Sequence, residues 1–211
     1  MQPDVMRQLI DAASEVIISH AEQLTALDRA IGDGDHGANM ARGFKEIAAQ
    51  KDAIGALPLG QALQKAGMTL VLKVGGASGP LYGSLLMDMG KAVAAEELSL
   101  ADAADMLDAG IAAVKRRGKA ETGEKTMLDV LCPVAETLRR ASLDGDVETV
   151  GTRMVSAAAH GLHRTSYMKA TKGRASFLGE RSIGHLDPGA CSSALLVGAV
   201  VSVLEAQGQP S

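Results

Sequence analysis

Apolar residues recur at helical spacing along almost the whole chain, and this periodicity constrains the fold more than any other feature. In residues 5–27, for example, apolar side chains fall mostly three or four positions apart, as one face of a helix requires. They are Val5, Leu9, Ala12, Val16, Ile17, Ala21, Leu24 and Leu27. The alternation of apolar and polar residues that is typical of strands is nowhere sustained. The sequence therefore predicts an all-α protein.

Eight helices are predicted, all within one domain that spans residues 1–211. Their predicted ranges are residues 5–27, 37–48, 59–74, 80–97, 99–117, 126–141, 147–167 and 188–204. Two helix starts carry specific signals: Ser99 with Asp102 resembles a capping box, and Asp187 precedes a first-turn proline, Pro188. Hydrophobic residues make up 46% of the chain and aromatic residues only 2%, which favours helices that pack through aliphatic side chains.

Charge and composition argue against several classes of protein. The formal net charge is −4, whereas a nucleic-acid-binding surface is usually basic. The first ten residues lack the apolar core of a signal peptide, and no run of about eighteen apolar residues indicates a membrane-spanning helix. These observations predict a soluble, cytoplasmic protein. Cys132 and Cys191 lie far apart in apolar surroundings, which favours free thiols and leaves a disulfide as the alternative.

Residues 27–39, LDRAIGDGDHGAN, hold three carboxylates, three glycines and a histidine between two predicted helices. We call this stretch the acidic loop. Asp28, Asp33 and Asp35 are candidate ligands for Mg²⁺, which prefers a few carboxylates together with waters and substrate phosphate oxygens. Three carboxylates can hold two such ions, and the helix that begins near Gly37 would direct its free amides at the same phosphates. The alternative is a solvated turn, because Asp and Gly both favour turns.

Three better-known motifs are excluded by their context. Residues 32–37 match the spaced glycines of a dinucleotide-binding fingerprint, but a helix precedes them where a strand is required. Residues 118–126 approach a phosphate-binding P-loop, but Glu124 interrupts the motif and again no strand precedes it. An EF-hand that began at Asp28 would lack ligands at its third and fifth positions and the closing glutamate at its twelfth. Direct metal ligation by the acidic loop therefore remains the best explanation.

Other candidate contacts to a nucleotide each have a structural alternative. His36 either contacts the nucleotide or a partner, or holds the loop through hydrogen bonds to the backbone. Asn39 either binds phosphate or caps the helix. Residues 75–80, GGASGP, form what we call the glycine loop. Its amides and the Ser78 hydroxyl can bind phosphate or a base, or its small residues can let two helices pack closely.

Residues 168–187 form the longest stretch without clear periodicity, and they are basic. Its basic part, residues 169–181, resembles a lid, and we call the whole stretch, residues 168–187, the lid segment. Arg174 is suited to phosphate oxygens because its guanidinium stays charged and has several donors. Lys169 and Lys172 are expected to be solvated.

Four separated stretches together resemble a single family. They are LDRAIGDGDHGANMARGF, VGGASGPLYG, RRGKAETGEKTMLDVLCPV and KGRASFLGERSIGHLDPGACS, and they follow in order across most of the chain. In this combination the sequence closely resembles the nucleotide-binding L subunits of dihydroxyacetone kinases. The resemblance implies a barrel of eight antiparallel amphipathic helices with the nucleotide held at one end.

The resemblance also implies roles for individual residues. Asp28, Asp33 and Asp35 match the Mg²⁺ ligands. The positions that match contacts to ADP or ATP are His36, Gly37, Ala38, Asn39, Ala77, Ser78, Gly118, Met127, Arg174, Asp187, Pro188 and Gly189. No covalent nucleophile is expected, because such a site acts by positioning and charge neutralisation.

The family further implies partners. Dihydroxyacetone is held on a separate K subunit in such systems. Either ADP stays bound and is rephosphorylated in place by the phosphohistidine of an M subunit, or the nucleotide exchanges with free ATP, as in related ketose kinases. A chain of 211 residues without a substrate domain favours the first arrangement. A nucleotide-dependent interaction with a transcription regulator is a further alternative, and homo-oligomerisation is left open.

Overall fold

Helices form all the regular structure described for this chain. The structure, a computed structural model, describes residues 3–94 and 97–208. Over these residues it contains ten α-helices and two 3₁₀ segments, and no strand. The α-helices are α1 Pro3–Ser19, α2 Ala21–Ile31, α3 His36–Ala49, α4 Lys51–Gly55, α5 Leu59–Lys73, α6 Ser78–Lys91, α7 Leu100–Gly118, α8 Leu128–Asp144, α9 Val150–Arg164 and α10 Pro188–Gly208. The 3₁₀ segments are Thr165–Tyr167 and Arg174–Ser182. The predicted all-α fold is confirmed.

The predicted first helix, residues 5–27, is in fact two helices that meet at His20. The Ser19 hydroxyl donates to the carbonyl of Glu15, 2.7 Å away, and His20 Nδ1 lies 2.8 Å from the carbonyl of Val16. Side chains that bond nearby carbonyls compete with the helical hydrogen bonds, and they often bend a helix. The kink separates α1 from α2, and α2 then ends at the acidic loop.

Several other helix boundaries differ from the prediction. The short helix α4 was not predicted, because five residues are too few to show a periodicity. The fourth predicted helix, residues 80–97, begins earlier and ends at Lys91; residues 95 and 96 of that prediction lie outside the described residues. The lid segment, which showed no periodicity in the sequence, contains the second 3₁₀ segment.

Both predicted helix caps are confirmed. The Ser99 hydroxyl accepts a hydrogen bond from the Asp102 amide at 3.1 Å, and the Asp102 carboxylate accepts from the Ser99 amide at 2.9 Å. At the start of α10, the Asp187 carboxylate accepts from the amide of Ala190 at 2.7 Å. Each cap satisfies a helix amide that would otherwise lack a partner.

The longer helices pack side by side in a ring. Helix α1 packs on α3 and α3 on α5; from α5 to α10 each helix packs on the next, and α10 returns to α1. Helix α2 lies beside this ring, against α3. The ring has eight members, the number of helices that the sequence predicts. That they alternate in direction around a barrel remains a prediction.

The core inside the helices is aliphatic, as the composition predicts. Its fully buried residues include Ile17, Leu24, Met40, Leu70 and Leu128. Cys132 and Cys191 are free thiols, as the sequence favoured, and burial raises the pKa of both.

The final helix is more apolar than the sequence analysis allowed. The stretch Pro188–Gln207 has a mean hydropathy of 1.7, so that by length and composition α10 could cross a membrane, and 28% of it is buried. The stretch is not an uninterrupted apolar run, because Ser192, Ser193, Ser202 and Glu205 lie within it, but its average hydropathy makes α10 a weak candidate for a membrane span. The core helix of a soluble protein meets the same two criteria, and α10 packs on α1, α8 and α9.

Candidate functional site

The acidic loop brings its three aspartates together where α2 meets α3. Asp28 lies in the last turn of α2, and Asp33 and Asp35 lie in the short connection that follows. One carboxylate oxygen from each of the three lies within 4.8 Å of the other two. Gly32 allows this approach, because a Cβ at that position would overlap Asp28 Oδ1. The predicted ligands therefore form one cluster.

Asp28 is the fixed member of the cluster. It is 9% exposed, and its Oδ2 accepts hydrogen bonds from the amides of Asp35 at 2.8 Å and His36 at 3.1 Å. These bonds hold the start of α3 against the end of α2. Gly37 permits the same close approach one residue later, because a Cβ there would overlap the carbonyl of Ala21. The backbone thus fixes where Asp28 points.

His36 joins three parts of the site through its side chain. Its Nδ1 lies 2.9 Å from the Ser78 hydroxyl, where α6 begins, and its Nε2 lies 2.9 Å from the Ser192 hydroxyl in α10. Burial lowers the pKa of His36, although the carboxylates of Asp28 and Asp35 act in the opposite direction. Both ring nitrogens are thus engaged by the protein. Of the two roles predicted for His36, this geometry supports the one in which it holds the loop. Its ring nitrogens contact serine hydroxyls, whereas contacts to the backbone had been predicted.

Tyr82 extends this network and was missed in the sequence. Its hydroxyl donates to the carbonyl of Gly189 at 3.0 Å and lies 2.8 Å from Ser192 Oγ and 2.7 Å from Ser193 Oγ. Burial raises the pKa of Tyr82, so that its hydroxyl stays protonated. In the sequence Tyr82 is an ordinary apolar position on a helix, and no local signal distinguishes it from a core residue.

The first turn of α3 carries the remaining predicted contacts of the acidic loop. Asn39 is buried, and its Oδ1 accepts a hydrogen bond from Arg42 Nη2 at 2.5 Å. A Cβ on Gly75 would lie 2.9 Å from the same oxygen, so that the glycine loop reaches α3 here. Ala38 lines a separate cavity of about 590 Å³, together with Arg42 and Lys45. In this structure the Asn39 carbonyl therefore binds a neighbouring side chain.

The other predicted contacts also lie at or next to the ends of helices. Ala77 directly precedes α6. Gly118 ends α7 and faces Leu81 of α6. Met127 is buried and faces Gly189, with 3.8 Å between its Cβ and a Cβ built on that glycine.

Asp187 has a perturbed pKa. It is 9% exposed, and burial raises its pKa from 3.8 to about 7, against the lowering effects of the Ala190 amide and the Lys125 ammonium. Pro188 follows as the first residue of α10, and its carbonyl accepts a hydrogen bond from the Ser192 hydroxyl at 3.1 Å.

The lid segment contacts the cluster through Arg174. Its Nε lies 2.6 Å from Asp33 Oδ2, and its side chain is 70% exposed. A cavity of about 290 Å³ lies between residues 29–33 and the lid segment, which contributes Arg174, Phe177 and Leu178. Lys169 is exposed, as predicted, whereas Lys172 forms an ion pair with Glu124 at 3.5 Å. Arg174 is therefore the lid cation that reaches the carboxylates.

The cluster has the composition that a hard divalent cation requires. Its donors are carboxylate oxygens, which Mg²⁺ prefers, and their spacing lets them share one or two ions. Asp33 and Asp35 are exposed, so that waters or phosphate oxygens can complete the coordination. The amino-terminal end of α3 adds the positive end of a helix dipole. Together these features define an all-α protein with a candidate metal–phosphate site where α2 meets α3.

Comparison with known proteins narrows this class to a family. The family model for the DAK2 domain matches residues 30–202. The chain therefore belongs to the DAK2 domain family. This match includes every predicted site residue except Asp28, which lies two positions before it.

The chain is similar to proteins with assigned roles. It is 48% identical over 187 residues to the ADP-binding subunit DhaL of PEP-dependent dihydroxyacetone kinase 1 from Listeria innocua, and the match covers 89% of each chain. It is 45% identical over 180 residues to the corresponding subunit from Escherichia coli, covering 84% of this chain and 86% of that one. Among solved structures, the dihydroxyacetone kinase of C. freundii matches with a TM-score of 0.75 and 25% identity, over 96% of this chain and 35% of that chain.

Proposed function

We propose that this chain is the ADP-binding subunit of a dihydroxyacetone kinase. It holds ADP or ATP with Mg²⁺ and passes the γ-phosphoryl group to dihydroxyacetone on a separate K subunit. The observation that carries this proposal is the cluster of Asp28, Asp33 and Asp35. It lies in a chain 48% identical to a subunit that is named for ADP binding and matched over nearly its whole length.

Asp28, Asp33 and Asp35 would hold two Mg²⁺ ions in this function. Bound there, the ions would neutralise the charge that shifts between phosphates during transfer. Asp28 is suited to a fixed position because two backbone amides orient it. Asp33 and Asp35 are exposed on the side from which phosphates would approach. The three residues therefore supply both rigidity and access.

The surrounding residues would bind and orient the nucleotide. The first turn of α3 (Gly37, Ala38 and Asn39) would direct backbone amides at the phosphates. Arg174 would exchange its ion pair with Asp33 for contact with a phosphate oxygen, because arginine binds both groups well. The other proposed contacts are His36, Ala77, Ser78, Gly118, Met127, Asp187, Pro188 and Gly189.

The phosphate donor is proposed to be a protein. The names of both similar subunits describe kinases that depend on PEP. We therefore favour ADP that stays bound and is rephosphorylated by the phosphohistidine of an M subunit of the phosphotransferase system, in the cytoplasm. In each cycle ADP gains a phosphoryl group from the histidine, and the ATP so formed gives that group to dihydroxyacetone and becomes ADP again.

Single substitutions in the cluster test the function. Asp28→Asn, Asp33→Asn and Asp35→Asn each remove one charge with little change of shape. We expect each to weaken Mg²⁺-dependent ADP binding about 100-fold or more in calorimetry, since a lost metal ligand costs several kcal/mol. Kinase activity reconstituted with K and M subunits should fall in parallel. Asp144→Asn, an exposed acid on the last turn of α8, is the matched control.

The outcomes separate the alternatives. Unchanged binding and activity in all three variants would refute the ligand assignment. A chain that activates no K subunit but binds a transcription regulator in one nucleotide state would favour the regulatory alternative. Native mass spectrometry should find ADP on the purified chain; rapid exchange of that ADP for free ATP would favour an ordinary ATP-dependent kinase.

A further inference from the structure

Lys125 is a buried lysine in the loop between α7 and α8. Its residue is 1% exposed, and it is among the largest fully buried side chains of the described chain. Lysine is rarely buried to this degree unless its charge is paired or hydrogen-bonded. Its backbone also has a φ of +62°, in the left-handed region that few residues other than glycine adopt. Such a combination needs a specific role for the ammonium group.

The ammonium contacts the chain near both ends of the lid segment. Nζ donates hydrogen bonds to the carbonyl of Thr165 at 2.5 Å and to the carbonyl of His185. Thr165 lies where the chain leaves α9, and His185 lies just before the chain enters α10. The Thr165 hydroxyl also accepts from the amide of Asp187 at 3.0 Å, so that the two ends are held to one another. We call this junction the lid neck.

The loop that carries Lys125 is itself held in shape. Asp129 is 2% exposed, and its carboxylate accepts from the amides of Gly123 at 2.5 Å and Thr126 at 2.8 Å. The carboxylates of Asp129 and Asp187 favour the charged form of the lysine, while burial lowers its pKa. The ammonium is thus held between a shaped loop and the lid neck.

A second contact joins the same loop to the lid segment. The Thr171 hydroxyl donates to the Glu124 carboxylate at 3.0 Å, and Lys172 forms an ion pair with that carboxylate. Two consecutive residues, Glu124 and Lys125, therefore attach the lid: one at its exposed edge and one at its buried neck.

We propose that Lys125 is a positioning residue of the nucleotide site, which fixes the lid neck on the loop before α8. It thereby fixes the relative positions of three regions that are proposed to contact the nucleotide. They are Met127 in the same loop, Arg174 in the lid segment, and Asp187–Gly189 after the lid neck. This role rests on the proposed function, because it is the nucleotide that these regions would bind. Lys125 itself need not touch the ligand.

The test compares Lys125→Met with Lys119→Met. Methionine keeps most of the buried volume and removes the ammonium. Lys119 lies in the same loop, is exposed, and also has a left-handed backbone, with a φ of +48°, so that it controls for backbone effects. Hydrogen exchange by mass spectrometry reports on the lid, and calorimetry with Mg²⁺ and ADP reports on binding.

Two results are expected for Lys125→Met in a folded chain. Amides of residues 165–187 should exchange about 10-fold faster without nucleotide, while peptides of α5 keep their wild-type rates. ADP affinity should fall about 10- to 100-fold, the range expected when charge-assisted hydrogen bonds are lost. Lys119→Met should stay within about twofold of wild type in both measurements, since an exposed side chain contributes little.

Unchanged lid exchange and ADP affinity in Lys125→Met would overturn the proposal. Faster exchange in α5 as well as in the lid would also overturn it, because Lys125 would then support the whole fold. If Lys125→Met does not fold, Lys125→Gln retains donors at this site; failure of both to fold would likewise make it a general folding residue. Lid exchange is measured without nucleotide, so that it tests the neck even if wild-type chain binds no ADP and the proposed function fails.

Discussion

Asp28 and Asp33 belong to one carboxylate cluster, but they lie in opposite surroundings. Asp28 is buried and fixed by two amide hydrogen bonds from the start of α3. Asp33 is exposed and paired with Arg174, a side chain of the lid segment that is itself largely exposed. We call Asp28, with the residues that its hydrogen bonds reach, the buried half of the site, and Asp33 with Arg174 the exposed half. Through His36 the buried half connects to hydroxyls of α6 and α10, whereas the exposed half borders a cavity open to solvent.

This contrast indicates that the two halves have different roles in binding. The buried half is organised before any ligand arrives, so that little ordering cost remains to be met on binding. The exposed half has an ion pair that solvent screens, and such pairs contribute little to stability. It can therefore rearrange when phosphates and metal arrive. Four predictions probe this contrast, in order of decreasing expected effect.

The largest difference is expected between Asp28→Ala and Asp33→Ala. The first should lower the free energy of unfolding by about 3 kcal/mol, because the amides of Asp35 and His36 lose their acceptor. The second should change it by less than about 0.5 kcal/mol, as expected for an exposed pair. Urea unfolding with EDTA and without nucleotide measures both. Equal losses of stability would contradict the proposed difference between the two halves.

The buried half should also carry a pH dependence through Asp187. Its folded pKa is about 7 and its ordinary value 3.8, so between these values the folded chain holds a proton that the unfolded chain has lost. The contribution of Asp187 to the free energy of unfolding should therefore fall as the pH rises through this window, by about 2 kcal/mol between pH 5 and pH 7, and level off above it. The lowered pKa of His36 gives a slope of the opposite sign, so the contribution of Asp187 is measured as the difference between wild type and Asp187→Asn in urea unfolding at several pH values.

Asp146→Asn is the control for this pH dependence. Hydrogen bonds from Thr149 are the main cause that lowers the pKa of the partly buried Asp146 to about 2. Its contribution is thus lost only as the pH falls below about 4, because a lowered pKa favours the folded state at higher pH. The profile of this variant between pH 5 and pH 8 should match that of wild type. A wild-type profile in Asp187→Asn would assign the proton to another group.

A smaller effect is expected for Ser192→Ala. Its hydroxyl connects His36 to Tyr82, and the variant should lose about 1–1.5 kcal/mol of stability, the usual value for one buried hydrogen-bonding group. ADP affinity should fall several-fold, because His36 loses one of its two anchors. Ser193→Ala is the matched control: its hydroxyl contacts Tyr82 but not His36 in the described network. Equal ADP affinities in the two variants would show that the contact between Ser192 and His36 does not contribute to nucleotide binding.

The smallest effect on stability is expected for Arg174→Ala. Unfolding should change by less than about 0.5 kcal/mol, while affinity for Mg²⁺–ADP falls about 10-fold if Arg174 meets a phosphate. Lys169→Ala removes an exposed cation from the same lid segment away from the cavity that Arg174 lines, and it should change neither quantity. Differential scanning fluorimetry and calorimetry distinguish these results. Large destabilisation by Arg174→Ala would show that the lid belongs to the rigid half.

The features predicted from the sequence are those encoded by neighbouring residues. The candidate ligands Asp28, Asp33 and Asp35 lie within eight positions, so their clustering follows from one short turn. The caps at Ser99 and Asp187 act over three residues and are equally local. The helical periodicity likewise depends on residues three or four apart, and it predicted the fold class.

The features that were missed depend on distant partners. Tyr82 contacts residues more than 100 positions away, and Lys125 contacts carbonyls 40 and 60 positions away. Neither residue type predicts such a role, since a tyrosine on a helix is usually a core residue and a lysine in a polar loop is usually a surface residue. The kink at His20 was missed for another reason: it depends on competition between side chains and backbone for the same carbonyls. Periodicity does not report that competition.

The lid neck has a consequence for how this family can diverge. The chain leaves the helices at Thr165 and returns at Asp187, and the amide of Gly184 bonds the carbonyl of Ser166 at 2.7 Å between these points. A segment whose two ends already meet can change in length at little cost, because doubling a loop adds only about 0.6 kcal/mol of closure free energy. Evolution can therefore lengthen, shorten or replace the lid as a separate module. Related chains can acquire new partners there while the helical frame that holds the carboxylates stays the same.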